Sequence, residues 1–220
     1  MMLPTHALLG LAIAAPLIVV APEFAPAALV GAFLGSVLPD FDLYAGHRRT
    51  LHYPTLYVAA AVPIAITAAF VVTPWLVAAA FLFAGAALHC RMDRYGGGLE
   101  LRPWEATSDR AVYDHVRNQW RAPKRWIRYD GAPEDVLLAV SVGVPLWIVL
   151  ESPLRWLVGT ALLVGGTYGL LRRRLATIAS VVFGSVPEPV DEYVPSRYNT
   201  IESAAGADRQ AESISGYLAQ

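Results

Sequence analysis

Cysteine is nearly absent from this sequence: Cys90 is the only one among 220 residues. A secreted fold held together by disulfide bonds is therefore excluded. Charged residues are also scarce, at 16% of the chain against about 25% in a typical soluble domain. Because the formal net charge is −1, no basic field attracts nucleic acid, and we expect no nucleic-acid partner.

Charged side chains are missing above all from the N-terminal part of the chain. Residues 91–131 hold fifteen of them, whereas residues 1–90 hold only five: Glu23, Asp40, Asp42, Arg48 and Arg49. A soluble fold of this size could not hide so long a stretch with so little charge. Membrane spans can, because each needs about 20 apolar residues. The hydrophobic content of 55% and the mean hydropathy of +0.44 agree with a membrane protein.

Six apolar segments predict the fold class. They are Thr5–Ala21, Ala25–Leu38, Pro54–Thr73, Trp75–Cys90, Val136–Leu150 and Leu154–Leu171. Backbone groups in lipid must be satisfied within their own segment, so we predict an all-α, polytopic bundle of about six transmembrane helices over residues 1–186. The first two segments are short, and they either cross fully or form a re-entrant pair. In the second, Gly31 and Gly35 are spaced to let its helix pack closely on a neighbour.

The distribution of Lys and Arg predicts the orientation. The connections after the second and fourth segments and the end of the sixth carry clusters of basic residues, whereas the other connections hold Arg155 alone. This alternation predicts a multi-pass protein of the inner or plasma membrane with both termini in the cytoplasm. No Lys or Arg precedes the first segment, which argues against a cleaved signal peptide.

Residues 94–135 form a predicted cytoplasmic insert between the fourth and fifth spans. Ser108 is placed to cap a helix from Asp109 to Trp120, on which Val112, Val116 and Trp120 would form an apolar stripe. The mixture of aromatic and basic side chains fits either the lipid headgroup region or a small cap with its own core. The segment Leu175–Val186 fits a surface-lying helix or part of the bundle. The acidic, proline-containing residues 187–220 predict a flexible tail.

Histidine and aspartate recur in four short motifs along the membrane part. Each motif alone has an ordinary explanation, such as an interfacial imidazole, a Pro-Asp turn or a local i, i+4 pair. However, the topology derived from Lys and Arg places all four at the same cytoplasmic edge of the membrane. The motifs contribute His6, then Asp40 and Asp42, then His47 and His52, and finally His89 and Asp93.

Three carboxylates and four imidazoles in one layer would repel or become protonated unless a cation lies among them. Mixed His and Asp ligation favours zinc, with manganese or iron possible, over calcium. We predict His6, Asp40, His52, His89 and Asp93 as metal ligands. Seven donors exceed one four-coordinate site. Either two ions share a bridging carboxylate, or Asp93 or Asp42 instead fixes the imidazole of a ligand.

The predicted function follows if water reaches this site. A divalent cation lowers the pKa of a bound water molecule toward ~7. Asp42 and His47 are candidates for the general base or acid, and Arg48 for holding a phosphate or an oxyanion. We therefore predict a metal-dependent hydrolase at the cytoplasmic leaflet, in contact with membrane lipids and acting on a phosphate or ester that could be a lipid headgroup. No pattern predicts an oligomeric state.

Two other functions stay open. A transporter would use the same groups to bind protons or cations, although Glu23 and Glu151 lie at the opposite face rather than along the spans. A non-catalytic membrane anchor or regulator would bind a partner through the insert or the tail. Among the remaining residues, we interpret His115 as a surface residue and Cys90 as a small packing residue. Glu100 and Glu105 flank Arg102 and are interpreted as a solvated salt-bridge cluster rather than part of the site.

The same motifs resemble those of the YdjM/YbcI-type inner-membrane proteins, described as metal-dependent hydrolases and, in one bacterial lineage, as LexA-binding. The resemblance covers about residues 1–105. It implies an inner-membrane, metal-dependent hydrolase with the ligands named above, and we do not extend LexA binding to this chain. The sequence departs from the family pattern at Arg49, Leu51 and Tyr53, which stand where Gly, Thr and Ser are usual. The matching residues are Thr5-His6, Leu38-Pro39-Asp40-Phe41-Asp42, Gly46-His47-Arg48, His52, and His89 with Asp93.

Overall fold

The computed structural model describes residues 1–183, and these are mostly helical. The helices are α1 (Leu3–Ala14), α2 (Leu17–Val20), α3 (Ala25–Val37), α4 (Leu56–Phe70), α5 (Pro74–Tyr95), α6 (Pro133–Val149) and α7 (Leu154–Phe183). All six apolar segments are helical, which confirms the prediction at this level. Helix α7 includes most of Leu175–Val186, and the predicted tail lies outside the described residues.

Three helical stretches are long and apolar enough to cross a membrane: Leu3–Val20, Pro74–Tyr95 and Leu154–Ala179. Helix α4 is apolar but shorter. Large apolar side chains cover the outside of these helices, and Phe70, Trp75 and Leu170 are 84%, 85% and 86% exposed. An apolar surface of this kind is typical of contact with lipid or with another protein.

Helices α3 and α5 pack at very short range through glycine, as the small-residue spacing predicts. A β-carbon at Gly31 would overlap the carbonyl group of Ala78, and one at Gly35 would overlap that of Leu82. This close approach brings the end of α3 against the last turns of α5. The 3-10 turn that directly follows α3 carries Asp40, and the last turns of α5 carry His89 and Asp93.

Helix α1 lies at the centre of the bundle, where it packs against α3, α5, α6 and α7. Leu8 and Leu11 are buried at its core-facing side. Its first turn is tied to the start of α6, because the Thr5 hydroxyl donates a hydrogen bond of 2.7 Å to the buried carboxylate of Asp135. The N-terminal ends of α1 and α6 therefore lie at the same end of the bundle.

The predicted helix from Asp109 to Trp120 is wrong. The insert instead forms a two-stranded antiparallel hairpin of β1 (Val112–Asp114) and β2 (Gln119–Arg121). Val112 is buried whereas Val116 is 58% exposed, so the predicted stripe does not share a face. Ser108 accepts a hydrogen bond from the amide of Arg110, which makes a local turn rather than a helix cap.

The carboxylate of Asp114 explains why this segment turns back on itself. It accepts hydrogen bonds from the backbone amides of Val116 and Arg117, closing the connection between the strands. It also accepts a hydrogen bond from the side chain of Arg121 within the hairpin. A further hydrogen bond from the hydroxyl of Thr55 ties the hairpin to the start of α4. Local hydrogen bonds donated to an Asp side chain thus outweigh the helical spacing of the apolar residues.

The hairpin lies against the membrane helices. Val112 packs in a hydrophobic cluster with Tyr57, Ala86 and Cys90. The amide of Tyr113 donates a hydrogen bond of 2.9 Å to the carbonyl of Arg48. The insert therefore forms a cap on the end of the bundle that holds the His and Asp motifs.

Candidate metal centre

Four parts of the chain bring the predicted residues to one point. His6 comes from the first turns of α1, and His89 and Asp93 from the last turns of α5. Asp40 and Asp42 lie on a 3-10 turn, Leu38–Asp42, that follows α3 directly. The remaining residues, His47, Arg48 and His52, belong to the loop that leads from this turn into α4.

Burial divides these residues into two groups. At most 1% of His6, Asp42, His52, His89 or Asp93 is exposed. By contrast, the side chains of Asp40 and His47 are 22% and 20% exposed. The site thus has a closed interior and one open side formed by Asp40 and His47.

Asp40, His52, His89 and Asp93 form a group that could hold a metal ion, with one donor atom from each lying within 4.8 Å of the others. The Nε2 atom of His52 lies 3.1 Å from Asp93 Oδ2, and that of His89 lies 3.3 Å from the same oxygen. His89 Nε2 lies 3.4 Å from Asp40 Oδ1. Tetrahedral metal–ligand bonds of 2.0–2.1 Å place ligand atoms about 3.3 Å apart, which is close to these three distances. His52 Nε2 lies somewhat farther from Asp40 Oδ1, at 3.8 Å.

The hydrogen bond made by the imidazole of His89 explains why a cation suits this group. His89 Nδ1 lies 2.6 Å from the carbonyl oxygen of Ser36, which can only accept, so Nδ1 carries the hydrogen. The Nε2 lone pair of the neutral ring then faces the carboxylates, and Nε2 has no hydrogen-bond partner within residues 1–183. A cation between them would satisfy both the lone pair and the carboxylates.

Asp42 holds the surroundings of the group in place. Its carboxylate accepts hydrogen bonds from Nδ1 of His52 at 2.9 Å and Nδ1 of His47 at 3.1 Å. It also accepts from the amides of Leu51 and Arg48. With Nδ1 of His52 donating to Asp42, Nε2 is free to act as a ligand atom. These contacts match the alternative in which a carboxylate fixes the imidazole of a ligand.

The pKa of Asp42 agrees with this positioning role. Burial acts to raise it, but the hydrogen bonds from Nδ1 of His47 and Nδ1 of His52 outweigh burial and hold the pKa below its ordinary value. The carboxylate of Asp42 is therefore ionised at neutral pH, as the orientation of both imidazoles requires.

His6 lies beside the group of four rather than in it. Its ring stacks on that of His89 with 3.8 Å between centroids, and its Nε2 atom lies 3.2 Å from Asp93 Oδ1. Asp93 therefore presents one oxygen to His52 and His89 and the other to His6. This is the arrangement that a bridging carboxylate would have, and ligation by His6 stays a prediction.

Arg48 connects the site to the insert. Its Nη1 atom donates to the carbonyl oxygen of Gly97 at 2.9 Å, and its Nη2 atom lies 3.5 Å from Asp93 Oδ1. Arg48 has a φ angle of 60°, in the left-handed region that a residue with a side chain seldom adopts. Its predicted role on a phosphate stays a prediction, because these contacts by themselves assign it to holding the loops together.

A cavity of about 630 Å³ adjoins the open side of the site and is lined there by Asp40, His47, Arg48 and Asp93. This volume lies within the range of small-molecule sites, about 300–1,000 Å³. The donor group is therefore accessible to a ligand, although most of its members are buried.

Glu100, interpreted from the sequence as part of a solvated salt-bridge cluster rather than of the site, lines the same cavity. Both of its carboxylate oxygens are buried without a hydrogen-bond partner among the described residues. The expected salt bridge forms between Glu105 and Arg102, whose charged atoms lie 3.6 Å apart. The expectation is wrong for Glu100. The available signal was its position after Gly96, Gly97 and Gly98, where the chain leaves α5 beside Asp93.

The two residues set aside lie away from the donor group. His115 donates from Nε2 to the carbonyl oxygen of Arg49 and packs against Tyr53. Cys90 is fully buried in the cluster beneath the hairpin, as expected for a packing residue.

Comparisons of the chain with protein-family models, curated proteins and solved structures found no match. The function is therefore argued from the site itself.

Proposed function

We propose that this protein is a membrane-embedded, metal-dependent hydrolase. The observation that carries the proposal is the buried group of Asp40, His52, His89 and Asp93, in which imidazole nitrogens and carboxylate oxygens face one another beside an open cavity. Zinc is the preferred ion for this mixture of donors. When bound there, it would activate a water molecule and polarise a phosphoryl or carbonyl oxygen.

His47 is the candidate general base in this proposal. Its Nδ1 atom is held by Asp42, so its Nε2 atom can accept a proton. The ring lines the cavity next to Asp40, where a substrate would lie. Asp42 acts as a positioning residue, in the way that a carboxylate orients the imidazole of a catalytic triad.

The proposal also places the protein in the inner or plasma membrane, with several spans and the site at the cytoplasmic side. Three apolar helices of sufficient length support membrane insertion. The clusters of basic residues near the ends that carry the site support the cytoplasmic side. The proposal further groups the chain with the YdjM/YbcI-type proteins, whose motifs supply the same donors.

The first experiment measures the metal content of the detergent-purified protein by elemental mass spectrometry. We expect tightly bound zinc, manganese or iron in the wild type and its loss in Asp40→Ala and His89→Ala. Glu105→Ala removes an exposed carboxylate outside the site and serves as the control. A wild-type protein that stays metal-free after loading would overturn the proposal.

The second experiment separates metal binding from catalysis. With p-nitrophenyl phosphate and bis(p-nitrophenyl) phosphate as probes, we expect His47→Ala to keep the metal but to lose about 10²–10⁴-fold in turnover, as for loss of a general base. His115→Ala is the matched control on a histidine outside the site. A metal-containing wild type that hydrolyses neither these soluble probes nor long-chain phosphatidic acid in nanodiscs would favour the non-catalytic anchor or regulator.

A further inference from the structure

The cavity beside the site continues far beyond the donor group. It runs along α1, α3 and α7, where its walls are almost entirely apolar. Leu8 and Leu11 line it from α1, Phe33 and Val37 from α3, and Leu157, Ala161 and Val164 from α7. Polar side chains are concentrated at the end where Asp40, His47, Arg48 and Asp93 lie.

A second polar cluster lies near the same end. Asp130 and Arg172 both line the cavity, and the Nε atom of Arg172 donates to Asp130 at 2.9 Å. Tyr168 also donates to Asp130. The cavity therefore combines one charged end with a long apolar channel, and a molecule that fills it must have the same two parts.

The channel is open along the side of α7. Val164 lines the cavity and is nevertheless 52% exposed, so the channel reaches the outer surface of this helix. Residues Leu154–Ala179 of α7 are long and apolar enough to cross a membrane. The opening therefore faces the region that hydrocarbon chains would occupy, and a lipid could enter without leaving the membrane.

We propose that the substrate is a lipid phosphate ester, with its phosphate at the donor group and its hydrocarbon chain in the channel between α1, α3 and α7. This proposal rests on the proposed hydrolase function. A water-soluble ester of the same headgroup would leave the apolar walls without a matching surface. The channel thus adds a requirement for a hydrocarbon chain that the donor group alone does not impose.

In the reaction, the oxygen of a water molecule forms a bond to phosphorus and the bond from phosphorus to the alcohol oxygen of the lipid breaks. His47 accepts a proton from the water and returns it to the departing alcohol oxygen. The products are the lipid alcohol and inorganic phosphate. No oxidant or reductant takes part.

Cross-linking tests the channel without relying on turnover. The probe is a phosphatidic acid analogue with a photoreactive diazirine near the end of one acyl chain, placed in phosphatidylcholine nanodiscs with the full-length protein. We expect cross-links to peptides from α1, α3 and the channel side of α7. Excess unlabelled phosphatidic acid should suppress them, whereas phosphatidylcholine should not.

Two neighbouring residues of α7 supply a matched pair of variants. Val164→Trp fills the channel, whereas Leu163→Trp adds similar bulk at a position that is 71% exposed and does not line the channel. We expect Val164→Trp to lose the suppressible cross-links about tenfold, a loss of about 1.4 kcal/mol of binding. Thr160→Trp, one turn away on the same channel wall, is a second variant in case Val164→Trp fails to fold.

The outcomes separate this proposal from the hydrolase itself. Equal cross-linking in Val164→Trp, Thr160→Trp and Leu163→Trp would overturn the lipid channel, whatever the metal content shows. If the wild-type protein does not hydrolyse phosphatidic acid but still forms cross-links that unlabelled phosphatidic acid suppresses, the hydrolase is overturned and a lipid-binding site remains. In a turnover assay, kcat/KM should rise from glycerol 3-phosphate to long-chain phosphatidic acid. Equal values would show that the headgroup alone is recognised.

Discussion

Asp42 accepts four hydrogen bonds at the site. Its two oxygens accept from the imidazoles of His47 and His52 and from two backbone amides. A carboxylate with these contacts cannot also accept a proton from water without breaking one of these hydrogen bonds. Its chemical role is therefore to fix the tautomer and the orientation of both rings.

We expect Asp42→Asn to lower zinc affinity about 10–100-fold while all four candidate ligands remain. The amide has one acceptor oxygen, and its NH₂ group would face either an imidazole N–H or a backbone N–H. Titration of the detergent-purified protein with zinc against a competing chelator measures the change. Glu105→Gln is the control for loss of a carboxylate, and an affinity equal to that of the wild type would show that Asp42 does not orient the ligands.

Some of the residues that sequence patterns group together also lie together in the structure. His89 and Asp93 are one helical turn apart, so a helix brings them to one face, and the structure joins them to Asp40 and His52. Asp135 and Glu100 were not predicted as important. Their roles depend on contacts between distant parts of the chain, such as Thr5 with Asp135, which no local pattern encodes.

At the scale of elements, long apolar runs correctly predicted helices, whereas the spacing of apolar residues in the insert wrongly predicted one. Long apolar runs have one main solution in lipid, because helices satisfy their own backbone. The insert is polar, so its structure depends on single hydrogen bonds. There Asp114 closes a hairpin where the spacing of Val112, Val116 and Trp120 predicts a helix.

The close packing of α3 on α5 couples the fold to the site. Ser36, which accepts the hydrogen bond of His89, directly follows Gly35, whose missing β-carbon lets the helices meet. The register of the two helices thus determines whether Nε2 of His89 faces Asp40. A small change in helix separation should disturb the donor group without touching a ligand.

We expect Gly35→Ala to destabilise the protein by about 1–3 kcal/mol, as overpacking of a tight interface does. It should also reduce metal content, because it moves Ser36 relative to His89. Gly166→Ala is the matched control, since a β-carbon there meets no atom within 4 Å. Thermal unfolding in detergent and elemental analysis provide the two readouts, and a Gly35→Ala protein as stable as Gly166→Ala would contradict the expectation.

At the scale of the whole molecule, the helices alternate in direction about the site. The starts of α1 and α6 meet at Asp135, and the ends of α3 and α5 meet at His89. The hairpin joins the start of α4 to the same end through Thr55. An alternating bundle is what the distribution of Lys and Arg predicts. Helix lengths alone do not establish that every helix crosses, because α3 has 13 residues and is about 20 Å long.

Labelling of single cysteines tests the predicted topology. On a Cys90→Ala background, Arg117→Cys reports the end that carries the site, and Glu23→Cys and Glu151→Cys report the opposite end. All three positions are exposed.

If every helix crosses and the site faces the cytoplasm, a membrane-impermeant maleimide added to intact spheroplasts should label positions 23 and 151 directly. Position 117 should react only after permeabilisation. Protection of position 23 together with labelling of position 151 would instead indicate that α1 to α3 form a re-entrant pair. Labelling of position 117 alone would place the site on the outer face, where a lipid phosphate of the outer leaflet would be its substrate.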